Sequence, residues 1–449
     1  MPCDLASLQG SLEDIVGAGH VDPAPETTAP FAVDGVVPFL TVRPGTQDEV
    51  AAVVAACAQA GAAMVPWGGG TAMGLGNRPD RLDVVIRLDR LDRVVEFDAA
   101  NLCVTVEAGM PLGRLQELVA GSQEQLPFDP PDSDRVTLGG LVAANQSGPC
   151  RLQNGTARDW VLGLRVVLPD GERIRCGGRV IKNVSGYDMN KLFIRSFGTL
   201  GIITEVTVKL LPMPAARATV IGVFPELALA AAVVEKVLAS FLLPEALDLL
   251  DPAALKLLAP SLGLQSSHGF ALAAGLAGSQ ETVARQVRDL EALFMGGGGS
   301  ANILRDRAST EAWTALANVL SQQPAEPGRI VCKLAVPIGH TASLVAKARA
   351  RATEQGLAAT VVAHAGSGIV RVALLPLAAP SDAVQAIEAL RQDAEAVSGS
   401  LVLEEAPPRI KQQVDAWGKP GSGFATMRRI KLEFDPLALC SPGRFVGRI

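Results

Sequence analysis

Pro66-Trp67-Gly68-Gly69-Gly70-Thr71-Ala72-Met73-Gly74 follows the apolar run at 62–65. Three successive glycines admit positive φ and can turn consecutive N–H groups into one concavity, which is an anion site. A diphosphate is the obvious guest; a flexible turn is the other reading of a lone glycine triplet. No Gly-Lys-Ser/Thr follows, so the loop is not a nucleotide P-loop. It is not a Rossmann turn either, because position 73 is Met and Gly74 opens no helix. Two further segments share its texture. Thr137-Leu138-Gly139-Gly140-Leu141-Val142-Ala143-Ala144-Asn145 gathers small residues on a helical turn, suited to a flat ligand or to tight helix packing. Ser196-Phe197-Gly198-Thr199-Leu200-Gly201-Ile202-Ile203-Thr204 runs from a glycine-bearing loop into a strand.

Proton chemistry has few candidates, because the chain has 4 histidines. His20, His268 and His340 are isolated. His364-Ala365-Gly366-Ser367-Gly368-Ile369-Val370-Arg371 offers an imidazole and a guanidinium, either a base with a carboxylate clamp or remnants of a strand-turn. A single imidazole with no neighbouring carboxylate makes a poor divalent-metal site. Lys182 and Tyr187 are candidate ligand contacts, with core packing the alternative for Tyr187, and Asp188 reads as a helix cap. Cysteines at 3, 57, 103, 150, 176, 332 and 440 are odd in number and form no CxxC pair, so disulfides and a cysteine-ligated cluster are not expected.

Composition narrows the class. The chain has 449 residues, enough for two domains, with 48% apolar and 19% charged residues. A net charge of −6 and 4% aromatics argue against nucleic-acid binding, which needs a basic surface and stacking platforms. The N-terminus lacks the basic and apolar regions of a signal peptide, and Glu235 and Lys236 break the Ala-rich stretch at 226–243. A cytoplasmic protein with no membrane span is expected.

The elements that must position these residues alternate. Residues 1–33 read as an irregular, Pro-rich lead-in. A strand is expected over Val36–Val42, then a helix behind the capping box Thr46-Gln47-Asp48-Glu49, buried through Val50, Val53, Val54 and Cys57 and stopped by Gly61. Strands follow at 62–65, Val84–Leu88, Val94–Phe97, Cys103–Val106, Val161–Leu168 and Ile202–Leu211, with helices at 112–120, 138–145 and 189–195. Past 215 come Ala/Leu helices, a Gly296–Gly299 loop and strand-like stretches at 330–336 and 360–375.

The order of Pro66–Thr71, Pro131-Asp132-Ser133 with Thr137–Gly140, Lys182–Asp188 and Gly198–Ile203 resembles the FAD-binding domain of the vanillyl-alcohol oxidase superfamily, in its glycolate oxidase and D-lactate dehydrogenase branch. Trp417-Gly418, Met427–Lys431, Phe434-Asp435-Pro436 and Pro442–Gly447 resemble the smaller FAD-binding subunit of bacterial glycolate oxidase. The resemblance implies an α+β fold: an FAD-binding domain at 34–214, an α/β cap at 215–404 for substrate or a subunit interface, and a C-terminal return at 405–449. It implies that Gly68, Gly69, Gly70 and Thr71 hold the diphosphate, that Thr137, Gly139, Gly140 and Asn145 line the flavin, and that Ile202 and Ile203 meet its far side. Pro66, Trp67, Gly74, Pro131, Asp132, Ala143, Gly148 and Gly201 complete the expected contacts. No histidine lies between 21 and 267, so attachment should be noncovalent. Metal-using relatives carry His-Ala-Gly-Asp-Gly-Asn-x-His; Ser367 and Arg371 stand here for its acid and second histidine, which removes the metal reading. The implied activity is relay of electrons from a 2-hydroxy acid, beside a larger catalytic FAD subunit and an iron–sulfur subunit, docked at the inner face of the membrane through a partner. A free-standing, metal-independent dehydrogenase is the alternative.

Overall fold

The computed structural model describes residues 5–179, 186–265, 268–321, 328–375 and 380–449. Four short strands, Val21–Asp22, Leu40–Val42, Val84–Arg87 and Met64–Trp67, form the first sheet in that spatial order, parallel except at Val21–Asp22. Behind it packs the helix Gln47–Ala60, whose buried stripe is Val50, Val53, Val54 and Cys57. Thr46 caps it by accepting the Glu49 N–H at 3.1 Å, and Gly61 ends it at φ 65°. The Glu49 carboxylate reaches the N–H of Gly45 rather than that of Thr46. The lead-in is not irregular: Leu5–Val16 is a helix. Leu8, Leu12 and Val16, four residues apart, bury one stripe in the core that also holds Val50 and Val53. The expected strand at Val36–Val42 shrinks to Leu40–Val42, with Val37 and Phe39 exposed.

An antiparallel sheet of five strands follows, in the order Val94–Asp98, Cys103–Glu107, Ile202–Lys209, Val161–Val167 and Arg173–Gly177. It shares its core with the helices Leu112–Ala120 and Leu138–Ala144.

The remainder is built on an eight-stranded antiparallel sheet, in the order Asn302–Arg305, Ala216–Phe224, Phe270–Gly278, Ala246–Leu250, Ala358–His364, Ile369–Leu375, Ile330–Ala335 and Ser400–Glu405. The stretch expected as one strand at 360–375 is a hairpin that turns between His364 and Ile369. Four helices, Leu227–Leu238, Gln280–Gly296, Thr341–Glu354 and Pro380–Glu395, bury their apolar stripes against one face. The opposite face carries the short helix Pro252–Leu258, the helix Asp306–Asn318 and a row of charged residues. The Gly296–Gly299 run, expected as a mobile loop, ends a helix, and a Cβ at Gly299 would come 2.5 Å from the Phe224 ring.

The chain then returns to the first sheet. Cys440 bridges Met64 in parallel, and Lys431 bonds the carbonyls of Thr199 and Cys440 and the carboxylate of Asp435. Among the described residues no helix is long and apolar enough to cross a membrane.

Candidate functional site

The glycine loop leaves the C-terminal end of Met64–Trp67, an edge strand of the parallel sheet. The loop from Gly68 to Gly74 is half-buried, and a backbone amide with no acceptor in the protein is open to a ligand. Among the described residues, none of the seven successive N–H groups from Gly68 to Gly74 finds an acceptor. Gly70 supplies the turn at φ 74°. The loop lies against the backbone that precedes the next helix: a Cβ at Gly69 would stand 1.6 Å from the Arg135 carbonyl, and one at Gly68 2.3 Å from Thr137 Oγ1. A run of unspent donors on a loop this closely packed is a donor set that a diphosphate would fit.

Thr137 caps Leu138–Ala144 through the Gly140 N–H at 3.3 Å. The small residues there divide their duties. Gly139 answers to packing, since a Cβ would come 2.5 Å from that of Ala108, whereas Gly140 meets only Thr137 within contact range. Asn145 ends the helix in the left-handed region at φ 49°, and the Ala143 carbonyl accepts the Phe197 N–H. Gly148 admits no Cβ, which would stand 1.8 Å from the Asp129 carbonyl oxygen, and Gly201 sits at φ 152° against Val167. Ile202 and Ile203 are buried and pair with Val167 and Val166.

One cavity, of about 360 Å³, joins the two halves. Gly70, Thr71, Pro131, Asp132 and Asn145 line it from the first half, and His364, Arg371, Lys333 and Glu404 from the eight-stranded sheet. Of the other expected contacts, Pro66, Trp67, Gly68, Gly69, Gly74, Thr137, Gly139, Gly140, Ala143, Gly148, Gly201, Ile202 and Ile203 do not line it. Asp132 is held at φ 53°, its N–H donated to Asn318 Oδ1 at 2.7 Å, so a cap residue fixes that wall.

The register explains the cap side. His364 pairs with Asp248 and Ile369, and Arg371 with Lys333 and Val362. Cross-strand partners share a face, as do residues two apart along a strand, so Asp248, His364, Arg371 and Lys333 project together. Val402 pairs with Lys333, so Glu404, two residues further along the edge strand and the extra residue at an irregularity near Val331, shares that face. Arg371 meets Glu404 with two 2.9 Å contacts, and Lys333 stands 3.8 Å from it. Burial pushes the Glu404 carboxyl up, but Arg371 and Lys333 more than offset that, and the net shift is downward. Burial pulls Lys333 below the usual lysine range, opposed by Glu404. Arg151 lines the same cavity, bonded to Ser147 Oγ at 3.0 Å.

His364 has a carboxylate neighbour after all: Nδ1 lies 2.8 Å from Asp248 Oδ1, on a fully buried side chain. Asp248 is 116 residues upstream, so no local motif could show it. The visible signal was a lone charge inside the apolar strand Ala246–Leu250, and the same holds for Lys333 inside Ile330–Ala335. Asp248 engages the ring from behind and does not complete a metal site. Among the described residues no group of three His, Cys, Asp or Glu side chains is placed to hold a metal. Behind this wall a second cavity, of about 540 Å³, is lined by Asp129 and Cys150. Burial pushes the Asp129 carboxyl up to about 6, against the Cys150 hydrogen bonds and His364, with Asp248 adding to the rise. Tyr187 is not in the core but 95% exposed, while Asp188 Oδ1 accepts the Asn190 N–H at the next helix. Lys182 lies outside the described residues.

Comparison with known proteins agrees with this layout. Residues 38–177 match the FAD binding domain, and residues 213–445 match the FAD linked oxidases, C-terminal domain. The chain is 28% identical over 423 residues to glycolate oxidase subunit GlcD of Bacillus subtilis, covering 92% of this chain and 90% of that one. To glycolate oxidase subunit GlcE of Escherichia coli it is 40% identical, but over 121 residues, 27% of this chain and 35% of that one. Identification with the smaller subunit is therefore not supported, because the full-length likeness is to GlcD. The structure of p-cresol methylhydroxylase shares the fold, with a TM-score of 0.76 at 17% identity over 98% of this chain and 96% of that one. The chain belongs to the FAD-linked oxidases and is an FAD-dependent oxidoreductase, with the fold of p-cresol methylhydroxylase.

Proposed function

We propose that the chain is an FAD-dependent dehydrogenase of small 2-hydroxy acids such as glycolate or D-lactate, and that it oxidises them itself. The observation that carries this reading is one shared cavity: His364, backed by Asp248, and the cations Arg371, Lys333 and Arg151 face the space that Gly70 and Thr71 line. In this reading Gly68, Gly69, Gly70 and Thr71 hold the diphosphate, with Pro66, Trp67 and Gly74 shaping the loop. Pro131, Asp132 and Asn145 face the flavin end, with Thr137, Gly140 and Ala143 beside them, and Gly139, Gly148, Gly201, Ile202 and Ile203 form the wall behind. Attachment is noncovalent.

When bound, FAD supplies the acceptor for the substrate's α-hydrogen and its two bonding electrons. This chain's residues handle the rest. With Nδ1–H given to Asp248, the free lone pair of His364 is on Nε2, which takes the hydroxyl proton as the carbonyl forms. Arg371, its guanidinium fixed by Glu404, presents its remaining donors to the carboxylate, and Lys333 adds charge from the neighbouring strand. The metal of the histidine-pair relatives has a replacement in kind, since Arg371 supplies a fixed positive charge where the second histidine would stand.

A second reading keeps the chain as an electron-relaying subunit beside a larger FAD subunit and an iron–sulfur subunit at the cytoplasmic face of the membrane. It is favoured by the short match to GlcE and by the neutralisation of Arg371 by Glu404. The two separate in one experiment. Glycolate or D-lactate added anaerobically to the purified chain should bleach the flavin band near ~450 nm. Bleaching only after partner subunits are added would establish the relay, and no bleaching under either condition would overturn both.

A further inference from the structure

Behind the glycine loop the C-terminal segment places two buried cations. The Arg444 guanidinium donates to the carbonyls of Met73 and Leu75, at 2.8 and 2.9 Å. The Lys411 ammonium donates to the carbonyl between them, that of Gly74, and binds both oxygens of Asp34 at 2.8 and 2.9 Å. A trans peptide points its C=O and N–H in opposite directions. Holding the Met73 oxygen from behind therefore aims the Gly74 N–H forward, among the seven amides that find no acceptor in the described residues.

Charge makes the same case. Lys411 and Asp34 cancel each other, whereas among the described residues no carboxylate stands within ion-pair range of Arg444. Arg444 is 4% exposed, and its Nε is buried with no partner among the described residues. Burial pulls the guanidinium down to about 10, with Asp34 alone opposing. An uncompensated buried cation is costly. Here it stands directly behind a row of free N–H groups, where an anion would relieve it.

We infer that Arg444 and Lys411 are positioning residues for the FAD diphosphate, so that the C-terminal segment completes a site whose visible loop lies some 370 residues upstream. The inference rests on the flavin-site reading above. It concerns the diphosphate alone, so it separates FAD from riboflavin, which has the same ring and no phosphate.

The test uses the full chain freed of flavin and titrated with FAD and with riboflavin, each followed by flavin fluorescence. Arg444→Met should weaken FAD about tenfold or more, the scale of losing an outer-shell partner of a charged ligand, and leave riboflavin unchanged. The FAD affinity of this variant should also fall less steeply with salt than that of the wild type. Arg444→Lys should recover part of the loss, and Lys411→Met, which can fold where Arg444→Met does not, should repeat the selectivity. Equal weakening of FAD and riboflavin would mark both residues as merely structural and overturn the inference, as would unchanged FAD affinity. Failure of the wild-type chain to bind FAD would instead sink the flavin-site reading itself.

Discussion

His364 Nδ1 lies 2.8 Å from Asp248 Oδ1, and the second oxygen of Asp248 is buried with no partner among the described residues. The pair fixes which ring nitrogen can act as a base, because the buried carboxylate accepts the Nδ1 proton and leaves the lone pair on Nε2. Two variants follow. His364→Ala removes the base, and Asp248→Asn favours the wrong tautomer. Each should slow flavin bleaching by substrate about 100- to 10,000-fold, the range for a general base. Flavin content should stay at one per chain, since neither residue touches the glycine loop. Stopped-flow absorbance measures the rate, and rates within a few-fold of wild type would rule out the base.

Arg371 and Glu404 are each 18% exposed at the side chain and closely paired. Removing Arg371 leaves Lys333, at 3.8 Å, as the cation beside Glu404, so the loss is at the low end for a broken buried pair, about 3 kcal/mol. Arg371→Met should lower unfolding stability by that order and raise KM for the 2-hydroxy acid. Arg371→Met with Glu404→Gln should restore much of the stability without restoring KM. Stability by urea unfolding and KM by steady-state assay separate the two roles of Arg371. If the double variant also recovered KM, the guanidinium would not bind substrate.

How much of this was legible follows from where the chemistry lies. The helix Gln47–Ala60, its cap and its stop were readable because their signals are local: Thr46, a stripe at helical spacing, and Gly61. The glycine loop was readable as a candidate nest because three adjacent glycines carry the message. Of the cap site only His364 and Arg371 were, because they share one local stretch; Asp248, Lys333 and Glu404 sit on other strands and join them through the register of the sheet. The same limit hid Arg444 and Lys411 behind the loop. Leu5–Val16 was missed for a further reason: its stripe of Leu8, Leu12 and Val16 has value only against another helix.

Asp129 gives the protein a pH signature. Its carboxyl is raised from 3.8 to about 6, chiefly by burial, so folding favours the protonated acid. That contribution to stability is complete below pH 3.8 and is lost as pH rises to about 6. Asp129→Asn keeps an oxygen for the Cys150 N–H, now 2.7 Å from the carboxylate, and removes the charge. The variant should match wild type near about pH 4 and exceed it by about 3 kcal/mol above about pH 6. Urea unfolding at the two ends checks this, and a constant difference between the proteins would refute it.

Gly68 and Gly69 meet different obstacles, and the difference predicts unequal tolerance. At Gly68 an added Cβ meets Thr137 Oγ1 at 2.3 Å, a side-chain atom that can rotate away at the expense of the helix cap. At Gly69 it meets the Arg135 carbonyl at 1.6 Å, which is backbone and can move only if the whole loop moves. Gly68→Ala should therefore cost about 1 kcal/mol, the value of a lost cap, and keep most of its flavin. Gly69→Ala must lift the loop from Arg135, misalign the seven free amides and lose the cofactor. Flavin absorbance per chain after gel filtration distinguishes the variants. Equal retention of flavin by both would mean that the free amides at 68–74 do not bind it.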